Sequence, residues 1–307
     1  MQSEPYDVLE NGAAGRLPEQ MVLFTHTGGE AGEEGREGGK GGGASAEDML
    51  IPFAFEEVLC RDVGAGRVPP VLHLWSHPGG VALGLRDSKL PRAAEAMQVL
   101  EQQGIRTAVR HSGGAAVPLD AGVINVSLLL PKPAGKLDFH DDFRLLASVI
   151  TEAVAAGYPQ AAAQIRAEEV IGSYCPGDFD LAIGGRKFCG IAQRRQSSAY
   201  FVHAFVIVSG SGRARGELVR RFYQDAADGG ASLDYPRVRP ETIGALAELG
   251  GPSSAAEFTA GIRQALAGRG TRLLPAELLQ QKTGYSLRYS DPQVLEAARM
   301  LRERYAR

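Results

Sequence analysis

Cysteine is scarce in this 307-residue sequence: Cys60, Cys175 and Cys189 are the only three. An odd number of widely spaced thiols cannot build a disulfide framework and fits a reducing compartment. Long apolar runs are also missing. The most hydrophobic stretch, AFVIV at 204–208, is strand-sized, far below the roughly 18 residues of a membrane span. The opening residues, MQSEPYDVLENG, carry acids and no apolar segment of signal-peptide type. A cytoplasmic location without membrane association is the expectation. Positive charge is not in excess: 33 Lys plus Arg stand against 36 Asp plus Glu, for a formal net charge of −3. That excludes a nucleic-acid binder working through bulk charge.

Several chemical motifs are absent too. There is no C-x-x-C, and no histidine pair has a third ligand at metal-site spacing, so no metal is expected. Neither G-x-x-x-x-G-K-[ST] nor a G-x-G-x-x-G following a strand occurs, and no G-x-S-x-G supports a serine hydrolase. No cofactor is expected.

Glycine, by contrast, is abundant at 39 residues. Nine of these fall in TGGEAGEEGREGGKGGGASAE, residues 27–47, which also holds five Glu against Arg36 and Lys40. Such a segment cannot bury enough apolar surface to offset its ordering entropy, and it reads as a flexible insertion in an N-terminal strand region, residues 1–48. Its local charge of −3 equals that of the whole chain, so the remainder is neutral.

The body, 44% hydrophobic, suffices for a core. DMLIPFAFEEVLC (48–60) reads as a helix. VLHLWS (71–76), the turn HPGG and VALGL (81–85) read as a hairpin. Residues 88–104 read as a helix capped by Ser88, with Pro91 in its first turn, Ala94, Met97 and Leu100 near helical spacing, and Gly104 as its stop. Strands are expected at 105–110, 115–119, 123–130, 164–170, 179–183, 186–195 and 199–208, with a helix near 141–156. Gly184-Gly185 between two of them is a two-residue hairpin signal. From about 211 the pattern turns helical, with Ser253 or Ser254 as a cap, a last helix from Asp291, and a helical C-terminal segment at 266–307. Strands and helices do not alternate strictly, which predicts an α+β fold on a mixed sheet.

Two pieces carry chemistry. In VRHSGGAAVPLDAGVINVS (109–127), the Ser112-Gly113-Gly114 turn lets backbone approach a ligand, and Arg110 places a cation beside it; the alternative is a plain glycine turn with a surface arginine. In GSYCPGDFDLAIGGRKFCGIAQRR (172–195), Cys175 sits in a Pro-Gly loop, whereas Cys189 lies in a strand. A thiol becomes a nucleophile as thiolate, which a nearby cation favours, and Lys187 returns across the hairpin; the alternative is a chance loop cysteine. Arg213, Arg215, Arg220 and Arg221 form a local basic patch, either a solvated face or a dock for an acidic partner.

Together these residues resemble the lipoate ligase, octanoyltransferase and biotin ligase superfamily. Its Arg-x-Ser-Gly-Gly-x-x-Val run, followed by Asp, Gly and Asn, corresponds to Arg110, Ser112, Gly113, Gly114, Val117, Asp120, Gly122 and Asn125. GRKFCGIAQRR is similar to the family's lysine strand, with Lys187 as its active-site lysine. More narrowly, SYCPGDFDLAIGGRKFCGIAQRRQ is similar to the octanoyl-[GcvH]:protein N-octanoyltransferases. The likeness spans residues 49–265 and implies the mixed-sheet catalytic domain of biotin and lipoate ligases. It further implies Cys175 as acyl-thioester nucleophile and Lys187 as the residue that favours its thiolate. Arg110, Ser112, Gly113, Gly114 and Asn125 would bind substrate. The implied donor is the octanoylated glycine cleavage H protein; the acceptors are lipoyl domains of 2-oxoacid dehydrogenase E2 subunits. Val117, Val126 and Leu128 are candidates for an acyl tunnel.

An octanoyl-acyl-carrier-protein transferase, an ATP-dependent lipoate ligase and a non-catalytic module that only binds lipoyl domains are the alternatives. Deleting residues 27–47 is expected to leave acyl transfer intact, and a large loss in a transfer assay would show that the insertion has been misread.

Overall fold

The computed structural model describes residues 6–7, 17–27, 48–133, 139–229 and 233–305. The expected flexible insertion lies, beyond Thr27, outside them. The chain runs β1 (Tyr6–Asp7), β2 (Gln20–His26), α1 (Ile51–Gly64), β3 (Val71–Trp75), β4 (Gly79–Leu83), α2 (Ala93–Gln102), β5 (Arg106–Val109), β6 (Val117–Asp120) and β7 (Val123–Pro131). It continues through α3 (Phe139–Ala155), α4 (Pro159–Ala162), β8 (Ile165–Ala167), β9 (Leu181–Ile183), β10 (Arg186–Arg195), β11 (Ala199–Ile207) and α5 (Gly212–Ala227). It ends with α6 (Ala255–Gly268), β12 (Arg272–Pro275), α7 (Ala276–Thr283) and α8 (Pro292–Tyr305).

Nine strands form a mixed sheet in the order β1-β8-β9-β10-β11-β7-β3-β2-β12, and β5-β4-β6 form a second, smaller one. The architecture is the expected α+β arrangement. The large sheet draws strands from before residue 48 and after residue 265, because β12 pairs in parallel with β2. That strand is a departure from the all-helical reading of the C-terminal segment.

Strand composition follows from burial on both faces. In β11 every residue is buried. Phe201, Phe205 and Ile207 join the core beneath α1, while Val202, Ala204 and Val206 join the opposite core, built on α3 and α6. The β9–β10 hairpin turns at Gly184 and Gly185, with φ of 58° and 71°, the left-handed pair that a tight two-residue turn requires. Ser254 caps α6, its Oγ accepting from the Glu257 N–H at 3.2 Å. No helix among the described residues is long and apolar enough to cross a membrane.

Two local expectations are corrected. The 71–76 and 81–85 runs do not pair as a hairpin: β3 lies in the large sheet and β4 in the small one. Gly79 and Gly80 belong to β4, where a side chain at 80 would strike Met49. Gly80 serves close packing, which mimics a turn signal in sequence. Nor does Ser88 cap α2. Pro91 forces Leu90 into extended backbone, with ψ 148°, so the helix starts only at Ala93. Ser88 Oγ instead donates to the Leu85 carbonyl at 3.0 Å.

At the end of β4, Gly84 touches the 112–115 turn so closely that a Cβ there would collide with the Gly114 carbonyl. Gly84→Ala is therefore expected to cost about 1–3 kcal/mol through overpacking, read as a lowered urea midpoint.

Candidate active site

Cys175 occupies the loop between β8 and β9 and is one of two described non-glycine residues with positive φ, at 46°. A left-handed backbone at a side-chain-bearing residue persists only where its surroundings impose it. Here the imposing group is Lys187. Its Nζ donates to the Tyr174 carbonyl at 2.9 Å and the Cys175 carbonyl at 2.6 Å, and pairs with Asp180 Oδ1 at 2.9 Å. The lysine side chain is fully buried, and these three acceptors match its three N–H donors. Asp180 Oδ2 in turn accepts from the Gly177 N–H at 3.2 Å, tying the turn together.

Lys187 reaches this position through a β-bulge. Lys187 lies opposite Ala182 and Cys189 opposite Leu181, so Phe188 is an extra residue in β10. Phe188 and Cys189 stay in the core beneath α3, while Lys187 turns to the other face, its Nζ 5.4 Å from the Phe205 ring centroid.

The thiol is cradled by a different part of the chain. Cys175 Sγ accepts from the Ala115 N–H at 3.2 Å and from Arg110 Nη2 at 3.5 Å. Arg110 also donates to the Ala115 carbonyl at 2.7 Å, to Ser112 Oγ at 3.2 Å and to the Gly113 carbonyl, so the turn is wrapped around its guanidinium. Gly114, at φ 95°, lies where a Cβ would stand 2.7 Å from Sγ. Only glycine admits the sulfur there. The next N–H, of Ala116, donates to Tyr223 Oη at 3.2 Å. That hydroxyl donates to Asp87 Oδ1 at 2.9 Å, and Asp87 Oδ2 accepts from Gly84 N–H at 2.7 Å.

Beside Sγ opens a cavity of about 300 Å³ with apolar walls that include Phe53, Val117, Leu119, Ile191 and Phe205. Arg110, Gly113, Gly114, Asn125 and Cys175 also line it, so most of the residues singled out from sequence converge here. Ser112 and Lys187 stand behind the wall as supports. Asn125 is held by its own Nδ2 donating to the Trp75 carbonyl at 3.4 Å. Of the three tunnel candidates, Val117 faces the cavity, whereas Val126 and Leu128 belong to the opposite core. A second hollow, of about 410 Å³, by Leu17, Gln20, Arg269 and Arg272 contains none of these groups. The basic patch is corrected as well: Arg215 is buried, clasping Asp120 with Nε and Nη2 at 2.8 and 2.7 Å.

Sequence reasoning missed Asp180, Ala115, Asp87 and Tyr223. Burial pushes the Asp180 carboxyl up to about 6, although Lys187 and the Gly177 N–H pull it down. Burial likewise raises Asp87.

The model of the lipoyl protein ligase A/B catalytic domain matches residues 48–267. An octanoyl-[GcvH]:protein N-octanoyltransferase of Anoxybacillus flavithermus is 40% identical over 228 residues, 74% of this chain and 81% of that protein. One from Geobacillus kaustophilus is 42% identical over 198 residues, covering 64% and 69%. A lipoyl-[GcvH]:protein N-lipoyltransferase of Listeria monocytogenes is 36% identical over 205 residues, covering 66% and 72%. Among solved structures, a bi-partite lipoate protein ligase from Thermoplasma acidophilum superposes with a TM-score of 0.58 at 16% identity, over 96% of this chain and 94% of that one, a likeness of fold alone.

Asp180→Asn leaves the Lys187 ammonium buried without its counter-charge and is expected to cost about 3–5 kcal/mol in urea unfolding. Folding favours the protonated form of Asp180 between the ordinary value and about 6, so this group's contribution to stability declines as pH rises through that window. The ion pair, however, exists only above it. Alkylation of Cys175 by iodoacetamide in the wild type is therefore expected to show a transition near pH 6 that Asp180→Asn removes.

Proposed function

The chain belongs to the lipoyl protein ligase A/B catalytic-domain family, and on that footing we propose that it moves an octanoyl group from a lysine amide of the glycine cleavage H protein to a lysine of apo-lipoyl domains of 2-oxoacid dehydrogenase E2 subunits, through a thioester on Cys175. It is an amidotransferase by its kinship with the octanoyl- and lipoyl-[GcvH] transferases. The observation that carries the covalent step is the convergence of a cation and a backbone N–H on one strained thiol at the mouth of an apolar cavity.

Donor and product are both lysine amides, so the exchange is close to thermoneutral and asks for no ATP. Attack by Cys175 divides it into two acyl transfers. Arg110 and the Ala115 N–H stabilise the thiolate before attack. Once sulfur is acylated it is a poor acceptor, and the same two donors become free for the carbonyl oxygen beside it, where negative charge develops. Pro176 has no N–H to offer, and that of Gly177 is engaged by Asp180, so the usual donor after a nucleophile is missing. Lys187 acts by holding the elbow: its donors are spent on Asp180 and two carbonyls. Burying the methylenes of an octanoyl chain along Val117, Leu119 and Ile191, at about 0.8 kcal/mol each, gives roughly 5 kcal/mol of binding.

Incubation with octanoylated H protein, without ATP, is expected to add the mass of one octanoyl group to Cys175, removable by hydroxylamine. Cys175→Ser is expected to lower transfer by about 10³-fold or more. No adduct together with unimpaired transfer by Cys175→Ser would overturn the covalent route, and ATP-dependent attachment of free lipoate that survives that substitution would establish a ligase instead.

A further inference from the structure

Amide cleavage by a thiol needs a proton source. A lysine amine cannot leave as an anion, and the incoming lysine must lose a proton on forming its amide. The titratable groups lining the cavity are Arg110, Cys175, Asp180 and His203. Arg110 is committed to the 112–115 turn and to Sγ, and Asp180 to Lys187 and Gly177. His203 is nine-tenths buried, and its Nε2 has no hydrogen-bond partner.

Behind His203 lies a row of buried polar groups that the chemistry described so far leaves unused. Strand register sets His203 of β11 opposite Ser127 of β7, and Ser127 opposite His73 of β3. Glu56 of α1 covers the row. Its Oε1 accepts from Trp75 Nε1 at 2.9 Å and meets His73 Nδ1 at 3.0 Å, and His73 Nε2 lies 3.0 Å from His26 Nδ1. Glu56 Oε2 and Ser127 Oγ, like His203 Nε2, are buried without a partner. Burial alone would raise Glu56, but the hydrogen bond and charge of His73, with His203 adding, hold it below its ordinary value, so it is a carboxylate. Burial lowers His203 to about 4, with Glu56 opposing and Arg110 and His111 adding to the fall, so its ring rests neutral. An unpaired carboxylate oxygen near an unpaired imidazole is costly unless it is used.

We propose that His203 is the general acid and base of both acyl transfers, with Glu56 supplying the charge that stabilises its transient imidazolium. The inference rests on the thioester reading above. In the first half, the Cys175 thiol loses its proton to water in a rapid equilibrium before attack, which Arg110 and the Ala115 N–H favour and which does not require His203. That water passes the proton to His203. The thiolate forms a C–S bond to the amide carbon, and the carbonyl π pair moves to oxygen. As that pair returns, the C–N bond breaks and the imidazolium protonates the departing amine. In the second half, the incoming neutral amine forms a C–N bond to the thioester carbon and His203 takes its proton. The C–S bond breaks, and the proton returns to sulfur. Sulfur, imidazole and proton count end as they began.

The test compares two octanoyl donors differing only in leaving group. With octanoylated H protein the leaving amine needs a proton; with octanoyl-coenzyme A the leaving thiolate needs none. His203→Gln is expected to slow Cys175 acylation from the amide about 10²-fold, while the thioester donor stays within about threefold of wild type. Glu56→Gln, which removes the charge assigned to the imidazolium, is expected to lower the amide rate about tenfold, again sparing the thioester. Iodoacetamide alkylation of Cys175 at the wild-type rate serves as the check on folding. Equal losses on both donors in the two variants, or no loss on the amide, would overturn the assignment. Wild-type enzyme that forms no Cys175 adduct from octanoylated H protein would instead defeat the thioester reading on which it stands.

Discussion

One buried ion pair organises this site. Asp180 and Lys187 meet at 2.9 Å with both side chains essentially out of water. Such a pair contributes little net stability in general, because desolvation consumes much of the Coulombic gain. Its value lies in direction. The ammonium is fixed where its remaining donors reach two consecutive carbonyls, and these hold Cys175 in the left-handed conformation that aims Sγ at Arg110 and Ala115. The lysine contacts the backbone of Cys175, and the contact with sulfur falls to an arginine.

How much of this could be read from sequence depends on the distance over which each signal acts. The β9–β10 hairpin is local, and a Gly-Gly pair between apolar runs identifies it; the strand at 186–195 appears with the bounds expected. Cys175, Arg110 and Gly114 stand out because they interrupt regular patterns or match a family run. Asp180, Asp87, Tyr223 and His203 do not, since each is a lone polar residue whose importance comes from what packs against it. Tyr223 lies 107 residues from the Ala116 N–H that it receives. Asp178 and Asp180 are indistinguishable in the string Pro-Gly-Asp-Phe-Asp, and only the turn decides which of them faces Lys187. The misread hairpin at 71–85 has the same origin, because a glycine demanded by close packing looks like one demanded by a turn.

The buried polar row shows the cost side of the same design. Three polar atoms in the protein interior lack partners at Glu56, Ser127 and His203. Local sequence preferences do not call for them, and apolar residues would pack the space below α1 at less expense. A functional demand is the simplest physical account of polar atoms kept there, and proton transfer is a demand that amide exchange imposes.

The small sheet gives the site its other half. Arg110 follows β5, and the turn holding Ala115 leads into β6, whereas Cys175, Lys187 and His203 belong to the large sheet or its loops. The Cys175 sulfur thus lies on a seam between two separately hydrogen-bonded sheets. One sheet sets the left-handed backbone of Cys175, and the other brings a cation and an N–H to its sulfur. A fragment keeping only the large sheet would retain Cys175 but lose both donors to its sulfur.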